Sequence, residues 1–527
     1  MLVYINSAKC IGIEAVDVTV EVEITGGIGI HLVGLADAAV KESLLRTVTA
    51  LTSRNFHIPG KKIVINLAPA DMHKSGSGYD LPIALGILAA SEQAHCEHLE
   101  SYLILGELSL DGNIRYVPGA LPVVELAVKE GYKGCILPVE SALEAYELEG
   151  TDVYGVRDLA DVLRILEGRE DCRDLLVRNS EQTRRPAGQR PVTCPDFADI
   201  IGQEGAKRGV EIAAAGGHNI IMVGPPGSGK STLAKAMAGI LPPMSIEEAL
   251  ITSKIYSVAG RHQGVGLIRE RPFRAPHHSS SMAAILGGGS GENIQPGEVS
   301  LATGGILFCD EYAQTPKSIL EALRGPLEDR KVTISRLKAK VAYPSSFMLV
   351  AASNPCPCGY YGEKGRCSCR PAQREAYLSK LSGPLMDRID LHLWLHPVDA
   401  SRLVGGERAE SSAVVAARVA AARRLQEARF AGEGIFTNAE MGSKDLKRYC
   451  PLDKECRDLL EKMIRTMNLS ARAYTRILRI ARTIADLEAV TDGLRDARAP
   501  VPGPILPRHL AEAASFRFLD RQRSPEF

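Results

Sequence analysis

The chain has 527 residues, 45% hydrophobic and 24% charged, with 63 Lys and Arg balancing 63 Asp and Glu. At ~150 residues per domain this length means about three domains, or a large motor-like unit with a companion, and the composition excludes wholesale disorder. Zero net charge excludes a global basic field, so any nucleic-acid contact must be a local patch, and a single Trp among 5% aromatics argues against broad base-stacking platforms.

The first elements in chain order are strands. Residues 16–24 (VDVTVEVEI) alternate apolar and polar with β-branched enrichment, and 62–66 and 102–105 are further short strands. Helical periodicity covers 36–52, 81–91 and 120–130, which makes residues 1–170 an α+β domain. The longest apolar stretches, such as 81–90, fall short of the ~20 residues needed to cross a bilayer. The N-terminus also lacks a basic region followed by an apolar one and a small-residue cleavage site. A cytoplasmic protein with no membrane partner is expected.

Residues 171–196 lose periodicity, carry Arg-Arg-Pro and read as a linker. A helix (203–215), a buried strand (219–223), a glycine-rich turn and a second helix (231–238) then open a P-loop α/β domain spanning 197–400. From about 400 onward strands vanish, and helical patterns at 413–431, 454–466, 471–487 and 508–516 make 401–527 an all-α lid.

The strongest motif is Gly224-Pro225-Pro226-Gly227-Ser228-Gly229-Lys230-Ser231, which fits GxxxxGK[ST] between a strand and a helix. Its glycines let backbone N–H groups converge on phosphate oxygens. Lys230 reaches the β- and γ-phosphates of ATP, and the Ser231 hydroxyl coordinates Mg²⁺. About 80 residues later the apolar strand 305–309 ends in Asp310 and Glu311, suited to hold Mg²⁺ and to activate water. Strand 350–353 ends in Asn354, which can position that water. Arg388 and Arg472 each sit at a helix terminus; taken singly, either fits an ordinary solvated charge.

Four thiols lie within a short span, Cys356-x-Cys358 and Cys367-x-Cys369, around Gly359 and Gly362. They suit a structural tetrahedral Zn²⁺ or, alternatively, a cluster of reduced thiols. In 329–341 (DRKVTISRLKAKV) Arg336, Lys338 and Lys340 fall on one face of a period-two pattern, as a phosphate-contacting hairpin or as cations protecting an edge strand. The preceding segment, 269–298, carries Arg274, a His277-His278 pair and a Gly-rich stretch. No third metal ligand is suitably spaced, so this loop reads as a pore or ATPase-coupling element.

The order of P-loop, Asp-Glu strand, Asn strand and arginines resembles an AAA+ ATPase. RPFRAPHHSSS (271–281), PGEVSLATGGILFCDE (296–311), LEALRGPLEDRKVTISR (320–336) and SNPCPCGYYG (353–362) look like the ComM/YifB-type magnesium-chelatase-like ATPases. Cys309 and Tyr312 replace residues usually apolar in that family and leave the acids in place. The resemblance implies a helix-2-insert AAA+ core, with Arg388 as an arginine finger acting on a neighbour's nucleotide and Arg472 as the sensor-2 arginine. It implies that 329–341 is a pre-sensor-1 hairpin contacting DNA. It also implies a homohexameric helicase promoting branch migration on single-stranded, duplex or branched DNA during natural transformation and homologous recombination, with recombination proteins as possible partners. A chelatase-like remodeller of a protein partner is the rival.

In the first domain His73-Lys-Ser-Gly-Ser-Gly-Tyr-Asp80 and Gly106-Glu-Leu-Ser-Leu-Asp-Gly112 resemble the Lon-protease-type fold, of ribosomal protein S5 type. There the first segment carries a nucleophilic Ser and the second precedes a Lys base. Gly78 and Leu121 occupy those positions, and neither can do that chemistry. Lys74, Ser75 and Ser77 lie nearby, but residues on one loop do not replace a base supplied by a separate element, so no active protease is expected.

Overall fold

The structure, a computed structural model, describes all residues except 36, 75, 97, 169, 185–193, 263, 291–292, 337–339, 362–364, 382–384, 398–408, 468, 496–502 and 522–527. Its first unit is built from β1 (Leu2–Ile11), β2 (Glu14–Thr25), β3 (Gly29–Val33), β4 (Lys62–Ala68), β5 (Tyr102–Ile104), a small hairpin of β6 (Glu107–Leu108) and β7 (Ile114–Arg115), β8 (Gly134–Pro138) and β9 (Asp152–Val156). Seven of these form a mixed sheet in the order β3-β4-β2-β1-β5-β8-β9. In β2, Val18, Val20 and Val22 face the core while Asp17 and Glu23 face out, which is the period-two pattern read from the sequence. The helix Asp80–Ala90 is buried at every position, and a Cβ at Gly86 would come within 2.4 Å of Val22. It therefore appears as a continuous apolar run, not as an amphipathic stripe.

The expected linker at 171–196 is folded over its first part. Glu170–Leu175 and Val177–Asn179 are 3-10 turns, Leu175, Leu176 and Val177 are buried, and Leu176 bridges to Tyr154 of β9. Three consecutive apolar residues supply that burial, so the loss of helical periodicity marked short turns and not an absence of structure.

The second unit contains β10 (Ile220–Val223), β11 (Phe273–Arg274), a hairpin of β12 (Gly287–Ser290) and β13 (Asn293–Pro296), β14 (Ile306–Cys309), a hairpin of β15 (Lys331–Ser335) and β16 (Lys340–Pro344), β17 (Met348–Ser353) and β18 (Leu391–Trp394). Its five-stranded sheet runs β11-β14-β17-β10-β18 and every pairing is parallel. β10, β14 and β17 are buried at all positions, as near-continuous apolar strands covered on both faces must be. One face packs with helix Glu204–Gly216 and the lid helices Ser412–Arg429 and Ala471–Arg495 into a single core that includes Ile212, Met222, Val350, Val419 and Ile480. The opposite face, through Leu307 and Leu349, packs against Ile294, Ile334 and Tyr343 of the two hairpins. No strand follows β18 among the described residues.

The two units share a core. Met244, Ala249 and Leu267 pack with Leu121, Leu126 and Leu143, and Lys254 of helix Ile246–Val258 pairs with Glu125. Glu144, buried at this junction, accepts hydrogen bonds from the hydroxyls of Tyr116 and Ser257. Burial pushes its carboxyl up to about 7 despite those two donors. The fold is thus an α/β P-loop unit with an all-α lid, preceded by a mixed-sheet α/β unit.

Candidate active site

β10 lies between β17 and β18, so its carboxyl end opens onto the crevice where parallel α/β sheets bind ligands. The chain turns there through 224–229 into helix Lys230–Ala238. Gly227 and Gly229 hold φ of +77° and +89°, and a Cβ at either would meet nothing within 4 Å. The backbone conformation, not crowding, therefore demands glycine at these two positions. Lys230 Nζ donates to the carbonyls of Gly224 (2.7 Å) and Pro225 (2.8 Å) and to Asn354 Oδ1 (3.3 Å). Burial holds its ammonium below the ordinary lysine value, against the pull of Asp310.

β14 and β17 are in register with Cys309 opposite Ala351, so the acids and Asn354 leave the sheet at neighbouring points. Ser231 Oγ donates to Asp310 Oδ2 at 3.1 Å. A hydroxyl and a carboxylate so placed fit the few protein oxygens that Mg²⁺ takes alongside nucleotide phosphates. Glu311, at φ +50°, lies 3.0 Å from His278 Nδ1 through Oε2. His278 thus has a carboxylate partner, one that no local pattern in the sequence disclosed. Gln203 was also missed. Its side-chain amide donates to the carbonyls of Ser228 and His396, bracing the P-loop from helix Glu204–Gly216.

Arg388 is buried, and its guanidinium is paired with Glu328, the residue that precedes the β15 hairpin by three positions. Arg472, exposed at the start of helix Ala471–Arg495, pairs with Asp387 at 3.0 Å. Both arginines therefore meet at the same Asp-Arg step. Two residues on, Asp390 is buried; Arg476, His218 and Arg479 hold its carboxylate well below the usual range even though burial alone would raise it.

The Sγ atoms of Cys356, Cys358, Cys367 and Cys369 all lie within 4.8 Å of one another. Cys356 is 3.4 Å from Cys358 and 3.9 Å from Cys367, and Cys358 is 3.7 Å from Cys367. A tetrahedron with Zn–S arms of about 2.3 Å has edges of ~3.8 Å, so the four thiols fit that ion. Gly359, inside this loop at φ +87°, sits so close to Pro226 that a Cβ would approach its Cδ to 2.8 Å. The thiol loop therefore leans on the P-loop.

In the β15–β16 hairpin Val332, Ile334, Val341 and Tyr343 are buried while Lys331, Thr333, Ser335 and Lys340 are exposed. Arg336 and Lys340 flank the turn and are exposed; Lys338 lies outside the described residues. Tyr343 Oη donates to the carbonyl of Ile294 at 2.6 Å, and the Arg336 guanidinium lies beside Gly288, so the two hairpins pack together. They also meet the first unit. A cavity of about 650 Å³ is lined by Ser77, Gly78 and Tyr79 on one side and Gln295, Lys340 and Tyr343 on the other. Gly78 opens onto this cavity, whereas Leu121 is fully buried in helix Ala120–Glu130, so neither supplies a nucleophile or base there. Ser75 lies outside the described residues.

Residues 196–403 match the family described as magnesium chelatase, subunit ChlI; 20–141 match subunit ChlI of Mg-chelatase, and 409–517 match its C-terminal part. The chain is 40% identical over 524 residues to a protein named YifB, described as uncharacterized, from Salmonella typhimurium, covering 99% of this chain and 98% of that one. It is 40% identical over 523 residues to the competence protein ComM of Haemophilus influenzae, covering 99% and 98%. A stretch of 143 residues, 27% of this chain and 22% of its relative, is 24% identical to the archaeal Lon protease of Methanocaldococcus jannaschii.

Proposed function

Because this chain belongs to the magnesium-chelatase-like AAA+ family that includes the YifB and ComM proteins, we propose that it is an ATP-hydrolysing DNA motor. In this reading it works as a homohexamer, promotes branch migration on single-stranded, duplex or branched DNA, and serves competence and homologous recombination. The observation that carries the reading is the convergence of Lys230, Ser231, Asp310, Glu311 and Asn354 at the carboxyl ends of three adjacent strands, in a unit that also bears the Arg336/Lys340 hairpin tip.

The P-loop amides and Lys230 bind the phosphates, and Ser231 and Asp310 would hold Mg²⁺, which would supply charge neutralisation to the transferred phosphoryl group. Glu311 takes the proton of the attacking water and Asn354 orients that water. Arg388 exchanges Glu328 for a neighbouring subunit's γ-phosphate, and Arg472 reads the nucleotide from the lid. The four cysteines would hold a structural Zn²⁺ that pins the loop beyond Asn354. The first unit, with Gly78 and Leu121 in the protease positions, has no proteolytic role.

ATPase rates with single-stranded, duplex and four-way junction DNA test this reading. Stimulation by DNA, weakened in an Arg336→Ala/Lys340→Ala variant with a shallower salt dependence of binding, is expected, since each lost phosphate contact removes about 0.7–0.9 from the log–log slope. DNA-independent turnover would favour the second reading, a remodeller of a protein partner, which the chelatase-subunit matches over 196–403 and 409–517 support.

A further inference from the structure

Helix Pro371–Leu378, which follows the four-cysteine loop, has no buried residue, yet it flanks the nucleotide site. Its Tyr377 hydroxyl lies 3.4 Å from Ser353 Oγ at the end of β17, one residue before Asn354. Partial burial pushes that phenol up, and the nearby Glu311 carboxylate adds to the rise. Arg374 and Tyr377 are three residues apart on the helix and so share a face.

This edge of the molecule is cationic. Residues 366–380 carry Arg366, Arg370, Arg374 and Lys380 against the single acid Glu375. The Arg374 guanidinium lies over the Tyr361 ring at 4.8 Å, so it is held in one orientation. Stacking engages the face of a guanidinium and leaves its in-plane fork suited to a carboxylate.

Glu328 supplies the opposite charge elsewhere in the chain. It is bonded to Arg388, and its side chain is 56% exposed where that of Arg388 is 8%. On the reading of Arg388 as a finger for a neighbouring subunit's γ-phosphate, this bond breaks when subunits close. Closure then carries the Glu328 carboxylate, a hydrogen bond away from the guanidinium, to the phosphate edge that Arg374 flanks on the neighbour. It also strips water from that carboxylate, and a desolvated charge without a partner opposes assembly.

We propose that Arg374 receives the neighbouring subunit's Glu328 in exchange for Arg388. The pair is incomplete within one chain: one copy gives the cation, and the next gives the carboxylate together with the finger. The finger is thus released where a second cation takes its carboxylate, which ties hydrolysis to a closed interface. This deepens the reading of Arg388 as a trans-acting residue and rests on it.

The test is ATP turnover of full-length chains with Mg²⁺. Arg374→Glu and Glu328→Arg should each lose about tenfold or more, because like charges then face each other at every interface. The double variant Arg374→Glu/Glu328→Arg should regain most of that loss. An equimolar mixture of the two single variants should recover as well, since alternating chains place opposite charges at every interface. A double variant no more active than the worse single one overturns the exchange, as does an Arg374→Glu chain that keeps full turnover or owes its loss to a lowered melting temperature. Mixing Arg388→Ala with Lys230→Ala chains separates the two failures. Without rescue there the finger reading itself falls; with rescue there and none in the double variant, only the exchange does.

Discussion

Two loops in this molecule share an alphabet of Gly, Ser and Lys between a strand and a helix: 224–231 after β10, and 73–80 between β4 and helix Asp80–Ala90. Their polar groups have opposite fates. In the second loop Lys74 is fully buried against the Pro69 carbonyl, Ser77 is bonded to Glu107, and Asp80 is clamped by Arg46 at 2.8 and 3.1 Å. The first two amides of its helix are taken as well, Asp80 N–H by the Ser77 carbonyl and Leu81 N–H by the Gly106 carbonyl. In the first loop Lys230 and Ser231 converge instead on Asn354 and Asp310, groups that can turn to a ligand together. Composition does not distinguish a binding loop from a structural one; what its side chains are already bonded to does.

The sharpest way to break this contrast is to remove both lysines in turn. Lys230→Ala should abolish nucleotide binding and turnover. Lys74→Ala should leave turnover intact while lowering stability by about 1–3 kcal/mol, the cost of a lost buried hydrogen bond. Equal damage to ATPase from both, measured beside calorimetric melting, would erase the distinction.

Next in size is Arg388. Its replacement by Ala should slow hydrolysis by about 10³–10⁵ if it acts across an interface. Mixing Arg388→Ala with Lys230→Ala chains should then restore part of the activity, because some interfaces carry both an intact finger and an intact P-loop. Unrescued loss confines Arg388 to its bond with Glu328.

A smaller effect extends the contrast to what supports each loop. Cys→Ser changes at 356, 358, 367 or 369 should lower bound zinc from about one per chain and weaken nucleotide binding through the Gly359–Pro226 contact. Metal-free protein with unaltered ATP affinity would mean that the P-loop does not need that support.

The smallest effect concerns Glu144, at the junction that the first unit shares with helix Ile246–Val258. Its carboxyl is raised from 4.5 to about 7 by burial. Between those values the unfolded chain has lost the proton that the folded chain keeps, so stability falls as pH rises through this window and levels off above it. Glu144→Gln should flatten that fall in melting temperature and be the more stable form above pH 7. An unchanged slope would move the pH dependence elsewhere.

Much of this was legible in the sequence because it is local. The GxxxxGK[ST] pattern, the buried strands ending in Asp310 and Asn354, and the alternation of Val332, Ile334, Val341 and Tyr343 are properties of short windows, and the helices from 412 onward follow one periodicity. The pairings were not legible. His278 with Glu311, Arg388 with Glu328 and Gly359 against Pro226 join residues far apart in the chain, and no period or spacing reports them. Leu175–Val177 escaped for another reason: three apolar residues are too few to show a period, yet enough to fold against β9.

Lys230 carries a final consequence for pace. Its ammonium has acceptors of its own in Gly224, Pro225 and Asn354. In the proposed cycle the cation would pass to these oxygens when spent nucleotide departs and would not be stranded in a half-buried site, where an unsatisfied charge would add to the exit barrier. Product escape and lid opening often set the cadence of such enzymes, more than bond cleavage does. On the same reading the three oxygens would compete with ADP for the lysine, loosening the loop's grip on product and shortening its residence.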